Sequence, residues 1–339
     1  MNYKNTVTYL LLITYALVIL YLSGIQGVLS FLLSLCIYTL VFYGLHILWK
    51  KFRKKQIMYI NDFINYFLNR VAILLVIIIV VIGGGAYILN EIFPAPMPEY
   101  TISDGNKVIK FQAMSHIGTT NFYNQIVENL TNFKKEGGVY YYEGVKPGSP
   151  ENLDKFNKAI GIKFDDDLYK NFSKLYGLTN QDNSIFMGII NNNDYNIDLN
   201  MDEIITEYSK IIEQKPKGEK EFQSKLPIDA NNTIIKTLAG LNDKELKVLI
   251  YINQALLNLI IGNEKLQGFL TNTFTNRDLF EVILGKRNEV LANEIINSNH
   301  DKIYITYGLL HFKGVYELLK EDNNKWQIIS ISNLYPIKN

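Results

Sequence analysis

The feature that most constrains this chain is a run of 45 residues without a charged side chain, between Lys4 and Lys50. A second uncharged run of 20 residues lies between Arg70 and Glu91. A helix needs about 20 apolar residues to cross a hydrocarbon core of about 30 Å. The first run is therefore long enough for two crossings, and the second for one.

Small and polar residues at positions 23–27 interrupt the first run. We therefore expect three transmembrane helices, at about 6–22, 28–48 and 71–90, within a membrane region of residues 1–93. The alternative is a cleaved signal peptide followed by buried helices. It is less favoured because a signal peptide has one short apolar region, whereas here three long ones follow one another.

The orientation of these helices is predicted by a basic cluster after the second one (Lys50, Lys51, Arg53, Lys54 and Lys55). Basic residues close to helix ends stay on the cytoplasmic side. The prediction is a multi-pass protein with a cytoplasmic N-terminus and an extracytoplasmic C-terminal domain. The alternative is a solvated charge cluster that has no topological meaning.

The charge distribution supports a membrane region followed by a soluble domain. Residues 1–98 carry a net charge of +5, and the whole chain carries +1, so residues 99–339 carry −4. A nearly neutral total argues against a nucleic-acid partner and leaves the bilayer as the expected partner of the basic half. The only cysteine, Cys36, lies in the first apolar run, so no intramolecular disulfide can form.

The proline-rich segment 94–98 is predicted to be a stiff spacer before a domain at 99–339. In that domain, β-prone runs alternate with amphipathic ones, which is typical of parallel βαβ units. The fold class predicted is therefore α/β, with a mixed or parallel sheet and a mostly helical insertion. The expected strands are 108–113, 139–142, 184–190, 195–199, 302–307 and 326–333, and the main expected helices are 121–134, 201–213, 233–261, 277–298 and 311–320.

Two segments of this domain repeat one pattern, an apolar run followed by a small residue, two further residues and a histidine. They are 107–116, ending at His116, and 302–311, ending at His311, in a chain with only four histidines. Sites in open α/β sheets form outside the carboxyl ends of the strands. We therefore expect both imidazoles at the same edge of one sheet.

Glu143 follows the predicted strand 139–142 and belongs at that same edge. Two imidazoles and a carboxylate, with a position left for water, form a common catalytic metal site. Arg287, on a helix before the strand 302–307, could stabilise an oxyanion. The alternative for each histidine is a hydrogen-bonded surface residue. Asp165, Asp166 and Asp167 are interpreted as residues that favour a helix start, with a metal role as the less favoured reading.

Four motifs and one shorter match occur in a specific order and spacing over about residues 106–335. They are Ala113-Met-Ser-His116-Ile-Gly118, Tyr142-Glu143-Gly144, Arg287-Asn288-Glu-Val-Leu-Ala292, Tyr307-Gly308-Leu-Leu-His311-Phe-Lys-Gly314 and the shorter Asn196-Ile-Asp198-Leu. In this respect the chain resembles the TraB/PrgY/GumN family, which includes the TIKI-type membrane metalloproteases. Ala113 departs from the family pattern, which has glycine there.

The resemblance implies a divalent metal ion (manganese, cobalt or zinc) bound by His116, His311 and Glu143. It also implies that Arg287 and Asn288 lie close to that ion, and that the substrate is a secreted or surface peptide or protein. Ala would be strained at position 113 if the backbone there required a positive φ angle, because glycine alone adopts it freely.

Two functional hypotheses follow. In the first, the protein is a membrane-anchored, metal-dependent peptidase in which Glu143 is a metal ligand or a base and Arg287 stabilises the tetrahedral intermediate. In the second, it is an inactive module that binds and sequesters secreted peptides. The substitution at Ala113 favours the second, and the ligand set with the family resemblance favours the first.

Overall fold

The computed structural model describes residues 3–163, 167–215, 229–274 and 276–338. Asp165, Asp166 and most of the charged segment 215–226 lie outside the described residues. The chain forms two compact units. One consists of Met1–Ile88 with Ala239–Ile252, and the other of Leu89–Leu238 with Asn253–Asn339.

The first unit contains α1 (Tyr3–Phe52) and most of α2 (Ile60–Ile92). Gly24 breaks α1 with φ 68° and ψ −164°, a region that essentially only glycine occupies. The rings of Tyr15 and Phe31 lie 5.2 Å apart across this break. A straight helix would place residues 16 positions apart at about 24 Å. The two halves of α1 therefore fold back on each other, which confirms the predicted interruption at 23–27.

The segment 239–252 caps the end of the first half of α1. The side chain of Asn242 donates to the carbonyl oxygen of Leu22 at 2.8 Å, and that of Lys244 donates to the carbonyl oxygen of Tyr21 at 2.9 Å. The last carbonyls of a helix have no partner within it. These two side chains supply the missing donors at the break.

Two helices in the described part of the chain are long and apolar enough to cross a membrane, namely α1 and α2. A third candidate arises if Asp243–Ile261 and Glu264–Leu270, which meet at 101°, are counted as one broken span. These helices indicate a membrane protein.

The remaining helices precede, connect or follow the strands of the second unit, and a π-helical turn at Val282–Lys286 joins two of them. They are α3 (Thr120–Lys135), α4 (Pro150–Ile160), α5 (Leu168–Tyr176), α6 (Asn183–Met187), α7 (Met201–Glu213), α8 (Ala230–Ala239), α9 (Asp243–Ile261), α10 (Glu264–Phe274), α11 (Arg277–Glu281), α12 (Arg287–Asn297) and α13 (His311–Asp322). Most of them lie between residues 150 and 297, as the predicted helical insertion requires.

Six strands form one mixed sheet in the order β6–β4–β7–β2–β1–β8, and two short strands, β3 and β5, pair separately. Strands β6, β4, β7 and β2 are parallel, and β1 is antiparallel to both of its neighbours. The α/β class is therefore confirmed. The strands are β1 (Met97–Ser103), β2 (Val108–Met114), β3 (Ile117–Gly118), β4 (Val139–Tyr142), β5 (Thr179–Asn180), β6 (Tyr195–Asn196), β7 (Lys302–Gly308) and β8 (Gln327–Leu334).

The two repeated segments become neighbouring parallel strands, β2 and β7. Their register pairs Met114 with Gly308 and Ala113 with Tyr307. The sequence repeat would instead pair Ala113 with Gly308, so the two strands are offset by one residue. Ile109 and Phe111 on β2 and Ile303 and Ile305 on β7 are at most 1% exposed, which makes this pair the centre of the core.

Three assignments differ from the structure, the simplest being the predicted strand 195–199, which is reduced to Tyr195–Asn196. The apolar run 184–190 was expected to be a strand, but Asn183–Met187 is a helix, because the Asp182 side chain accepts from the backbone N–H of Ser184 and caps it. The strand β1 was not predicted, and it begins within the segment 94–98. Its first residue, Met97, is 1% exposed and packs in the core.

Candidate functional site

The predicted site residues gather around the carboxyl ends of three adjacent parallel strands. Glu143 directly follows β4, Gly308 ends β7, and His116 comes two residues after β2. His311 begins α13, three residues after β7. The sheet topology therefore places all four at one edge, as the sequence predicted.

Glu143 is held by two donors from different elements. One carboxylate oxygen accepts from Nη2 of Arg287 at 2.5 Å, and the other accepts from the backbone N–H of Gly308 at 2.7 Å. The side chain is 20% exposed. Both oxygens are therefore engaged, and the carboxylate is fixed between α12 and the end of β7.

Arg287 is 5% exposed and makes its main ion pair with Asp198. Its Nε and Nη2 donate to the two oxygens of Asp198 at 2.7 and 2.8 Å. Asp198 has no exposed side-chain surface and also accepts from the backbone N–H groups of Gly144 and Leu199. Asp198 occurs only in the shorter of the quoted motifs, whereas the structure makes it the anchor of Arg287.

The charges in this cluster determine its protonation. Burial by itself would raise the pKa of Glu143, but the charge of Arg287, followed by that of His311 when its ring is protonated at low pH, lowers it below its usual value. Burial opposes the charge of Arg287, yet its hydrogen bond to Asp198 and the charge of Glu143 raise its pKa. Glu143 is therefore a carboxylate and Arg287 a guanidinium at neutral pH.

Asn288, the residue after Arg287, orients His311. Its Oδ1 lies 2.7 Å from Nδ1 of His311, and both side chains are buried. A Cβ atom at Gly314 would lie 2.2 Å from Nδ2 of Asn288, so glycine at this position of α13 allows the close approach. An amide oxygen can only accept, so Nδ1 of His311 carries the proton and Nε2 keeps a free lone pair.

The free nitrogen of His311 faces the same small volume as Glu143. A Cβ atom built on Gly308 would lie 4.0 Å from Nε2 of His311 and 3.5 Å from Oε2 of Glu143. Burial, and then the charge of Arg287, lower the pKa of His311 to about 4, against the effect of Glu143. The imidazole is therefore neutral and able to donate its lone pair.

His116 lies in the loop between β2 and β3, and Tyr123 and Gln181 hold the backbone of that loop. The hydroxyl of Tyr123 donates to the carbonyl of Ser115 at 2.9 Å, and the N–H of Gln181 donates to the carbonyl of His116 at 2.8 Å. The His116 side chain is exposed, although surrounding protein atoms lower its pKa. His116 is therefore exposed at the surface, unlike the buried His311.

Two tyrosines belong to this site and were not predicted. The ring of Tyr169 on α5 lies 4.7 Å from that of His116, and burial, followed by the charge of Glu143, raises the pKa of its hydroxyl. Tyr307 on β7 packs edge-on against the ring of His311 at 4.8 Å, and the guanidinium of Arg287 lies 5.3 Å from its ring centre. Tyr307 begins one of the quoted motifs but was given no role there, and nothing in the sequence marks Tyr169 among 23 tyrosines.

Ala113 and Gly118 have structural explanations. Ala113 lies within β2 and is fully buried, and among the described residues Lys54 is the only non-glycine residue with a positive φ angle. The strain considered for Ala113 therefore does not occur. A Cβ atom at Gly118 would lie 3.0 Å from the Phe122 ring and 3.3 Å from the carbonyl oxygen of Pro336, so glycine permits close packing there.

The residue types of the predicted ligand set, His116, His311 and Glu143, are suited to a divalent ion. Their arrangement suits one only partly. A histidine whose second ring nitrogen donates to an oxygen acceptor is usual at metal sites, and His311 has this geometry. Glu143, however, is paired with Arg287. No group of three or more His, Cys, Asp or Glu side chains in the described ranges is arranged to hold a metal ion.

No protein-family model, curated protein or solved structure matches this chain.

The buried position of Arg287 leads to a stability prediction with a neighbouring control. Arg287→Gln leaves the Asp198 and Glu143 carboxylates without their cation, which should cost about 3–5 kcal/mol. Lys286→Gln removes an exposed pair with Glu289, which should cost no more than about 1 kcal/mol. Guanidinium denaturation of the detergent-purified protein measures both, and equal losses would contradict the buried network.

The lowered pKa of His311 predicts a pH dependence of stability. Below the ordinary histidine pKa of about 6.5, the unfolded chain binds a proton that the folded protein does not bind. Stability should therefore fall as the pH drops from about 6.5 to about 4, by up to roughly 1.4 kcal/mol per pH unit from this group. Denaturation with EDTA present should show a shallower fall for His311→Gln, and an unchanged slope would refute the prediction.

Proposed function

We propose that this protein is a membrane-anchored, divalent-metal-dependent peptidase that acts on extracytoplasmic peptides or proteins. The observation that carries the proposal is the orientation of His311. Asn288 Oδ1 accepts a hydrogen bond from the Nδ1–H of His311, and the free Nε2 faces the volume shared with Glu143. The Nε2 lone pair of a neutral imidazole oriented in this way is available for binding, and we expect its partner to be a ligand or a substrate.

His311, His116 and Glu143 would hold the ion, which when bound would polarise a carbonyl and lower the pKa of a water molecule. His116 is exposed, so a substrate could reach it. Arg287 is buried and bonded to both carboxylates, so its role would be to position Glu143 rather than to contact an oxyanion directly. The Tyr169 ring beside His116 would form one wall of the substrate site.

Membership of the TraB/PrgY/GumN family is part of this proposal. It is supported by ion pairs and hydrogen bonds between residues of different quoted motifs. Glu143, Arg287 and Asp198 form one ion-pair network, and Asn288 bonds to His311. Residues from segments more than 140 positions apart therefore take part in one polar cluster.

The proposed topology has three crossings, at about 6–22, 28–48 and 71–90, with the N-terminus in the cytoplasm. Two observations support it: α1 folds back at Gly24, which would divide its single uncharged run into two crossings, and the basic cluster at 50–55 lies in the following loop. The positive-inside rule places that loop in the cytoplasm.

Labelling of single cysteines in a Cys36→Ser background tests this topology. A cysteine at the exposed Lys54 should react with an impermeant maleimide only after the cells are opened. A cysteine at the exposed Gly105, in the turn between β1 and β2, should react in intact cells from which any outer barrier has been removed. The reverse pattern would refute the orientation.

A second candidate function is a catalytically inactive module that sequesters secreted peptides. The observation that favours it is the pairing of Glu143 with Arg287 and with the N–H of Gly308, which uses both carboxylate oxygens. A carboxylate engaged in this way is a weaker metal ligand and a weaker base. The exposed His116 and the neighbouring Tyr169 ring would then serve binding alone.

Metal content and peptide cleavage by the full-length protein separate the two functions. After incubation with manganese, cobalt or zinc, we expect about one ion per chain and cleavage within a broad peptide library. The His116→Ala/His311→Ala double variant should lose both, and His300→Ala, a histidine in another loop, should keep both. Peptide binding without metal or cleavage would favour the sequestering module, and the absence of metal, cleavage and binding would refute both proposals.

A further inference from the structure

A cavity of about 560 Å³ lies in the second unit, away from the candidate site. Its walls come from three places: the end of α2 with the residues that follow it, the turn between α9 and α10, and the C-terminal segment after β8. None of His116, Glu143, Arg287 or His311 lines it. Sites for small molecules typically measure about 300–1,000 Å³, so the cavity is large enough to be one.

The sequence places this cavity at the level of the membrane surface. The uncharged run of α2 ends at Glu91, the first charged residue after 20 uncharged ones. Such a run is just long enough to cross the hydrocarbon core, so Glu91 marks the start of the headgroup region. Leu89, Ile92 and Phe93, which line the cavity, lie within two residues of Glu91.

The walls combine apolar, aromatic and cationic groups. Ile92 is 51% exposed, Phe93 is 71% exposed and Tyr335 is 40% exposed, so apolar surface remains open at the cavity. Aromatic side chains concentrate at membrane interfaces, where their rings contact both lipid chains and headgroups. Lys338, also in the wall, provides an ammonium group at the same place.

The buried side chain of Asn258 holds two walls of the cavity together through hydrogen bonds. Oδ1 of Asn258 accepts from the backbone N–H of Ala95 at 2.9 Å, and its Nδ2 donates to Oδ1 of Asn90 at 3.0 Å. Asn258 is 2% exposed and Ala95 is 4% exposed. The residues that leave α2 are thereby held against α9, which makes the cavity a preformed feature rather than a gap beside a loose linker.

We infer that this cavity binds one phospholipid of the bilayer, with the lipid chains against Ile92, Phe93 and Leu259 and the phosphate at Lys338. Two observations select this occupant. The apolar wall is continuous with a helix suited to the hydrocarbon core, and the cation complements the charge that every phospholipid carries. The inference depends on membrane insertion and not on metal binding or peptide cleavage.

The experiment compares full-length variants reconstituted in vesicles of phosphatidylcholine and phosphatidylglycerol and then extracted into mild detergent. Native mass spectrometry counts the phospholipids that each chain retains. Leu259→Trp should fill the cavity, and Lys338→Gln should remove the charge without affecting the core. The controls are Leu256→Trp, one turn earlier on α9 and outside the cavity lining, and Lys325→Gln, an exposed lysine after α13.

We expect about one tightly retained phospholipid in the wild-type protein and in both controls, and at least a fivefold lower occupancy in Leu259→Trp and Lys338→Gln. Equal occupancy in all five proteins would overturn the inference. Displacement of the lipid by millimolar inorganic phosphate would also overturn it, because it would identify an anion site without a lipid-chain contribution. Metal content and peptide cleavage should not change in any variant, so failure here is distinguishable from failure of the proposed peptidase.

Discussion

The parallel pairing of β2 with β7 is the constraint on which the second unit depends. The two strands are separated by almost 190 residues, yet they lie side by side at the centre of the sheet with fully buried apolar side chains. Parallel neighbours end at the same edge, so this pairing brings the loop of His116 and the first turn of α13 together. Because β4 flanks β7 on the other side, Glu143 joins them. The position of the candidate site is therefore a consequence of strand order.

The buried Arg287 fixes the chemistry at that edge. A guanidinium with 5% exposure requires paired carboxylates, and Asp198 and Glu143 supply them from two different segments. The same charge lowers the pKa of Glu143 and contributes to the low pKa of His311. One cation thus favours the charged form of Glu143 and the neutral form of His311, which lie side by side.

Much of the fold could be predicted from local pattern. The strands β2, β4, β7 and β8 and the helices α3 and α13 were predicted to within a few residues, because apolar periodicity and glycine breaks mark them. The strand β1 was missed, since prolines at its start resemble a spacer and its pairing depends on distant partners. The helix α6 was mistaken for a strand because its short apolar run fits either structure, and the Asp182 cap decided between them.

The sequence by itself determined the membrane character and the α/β class, and it predicted the candidate site residues His116, Glu143, Arg287 and His311, because charge, periodicity and rare histidines are properties of the chain. The tertiary structure decided how those residues are used. It buried His311 against Asn288, left His116 open beside Tyr169, and gave Asp198 the main bond to Arg287. These outcomes depend on burial and on contacts between distant segments, and neither is encoded at any single position.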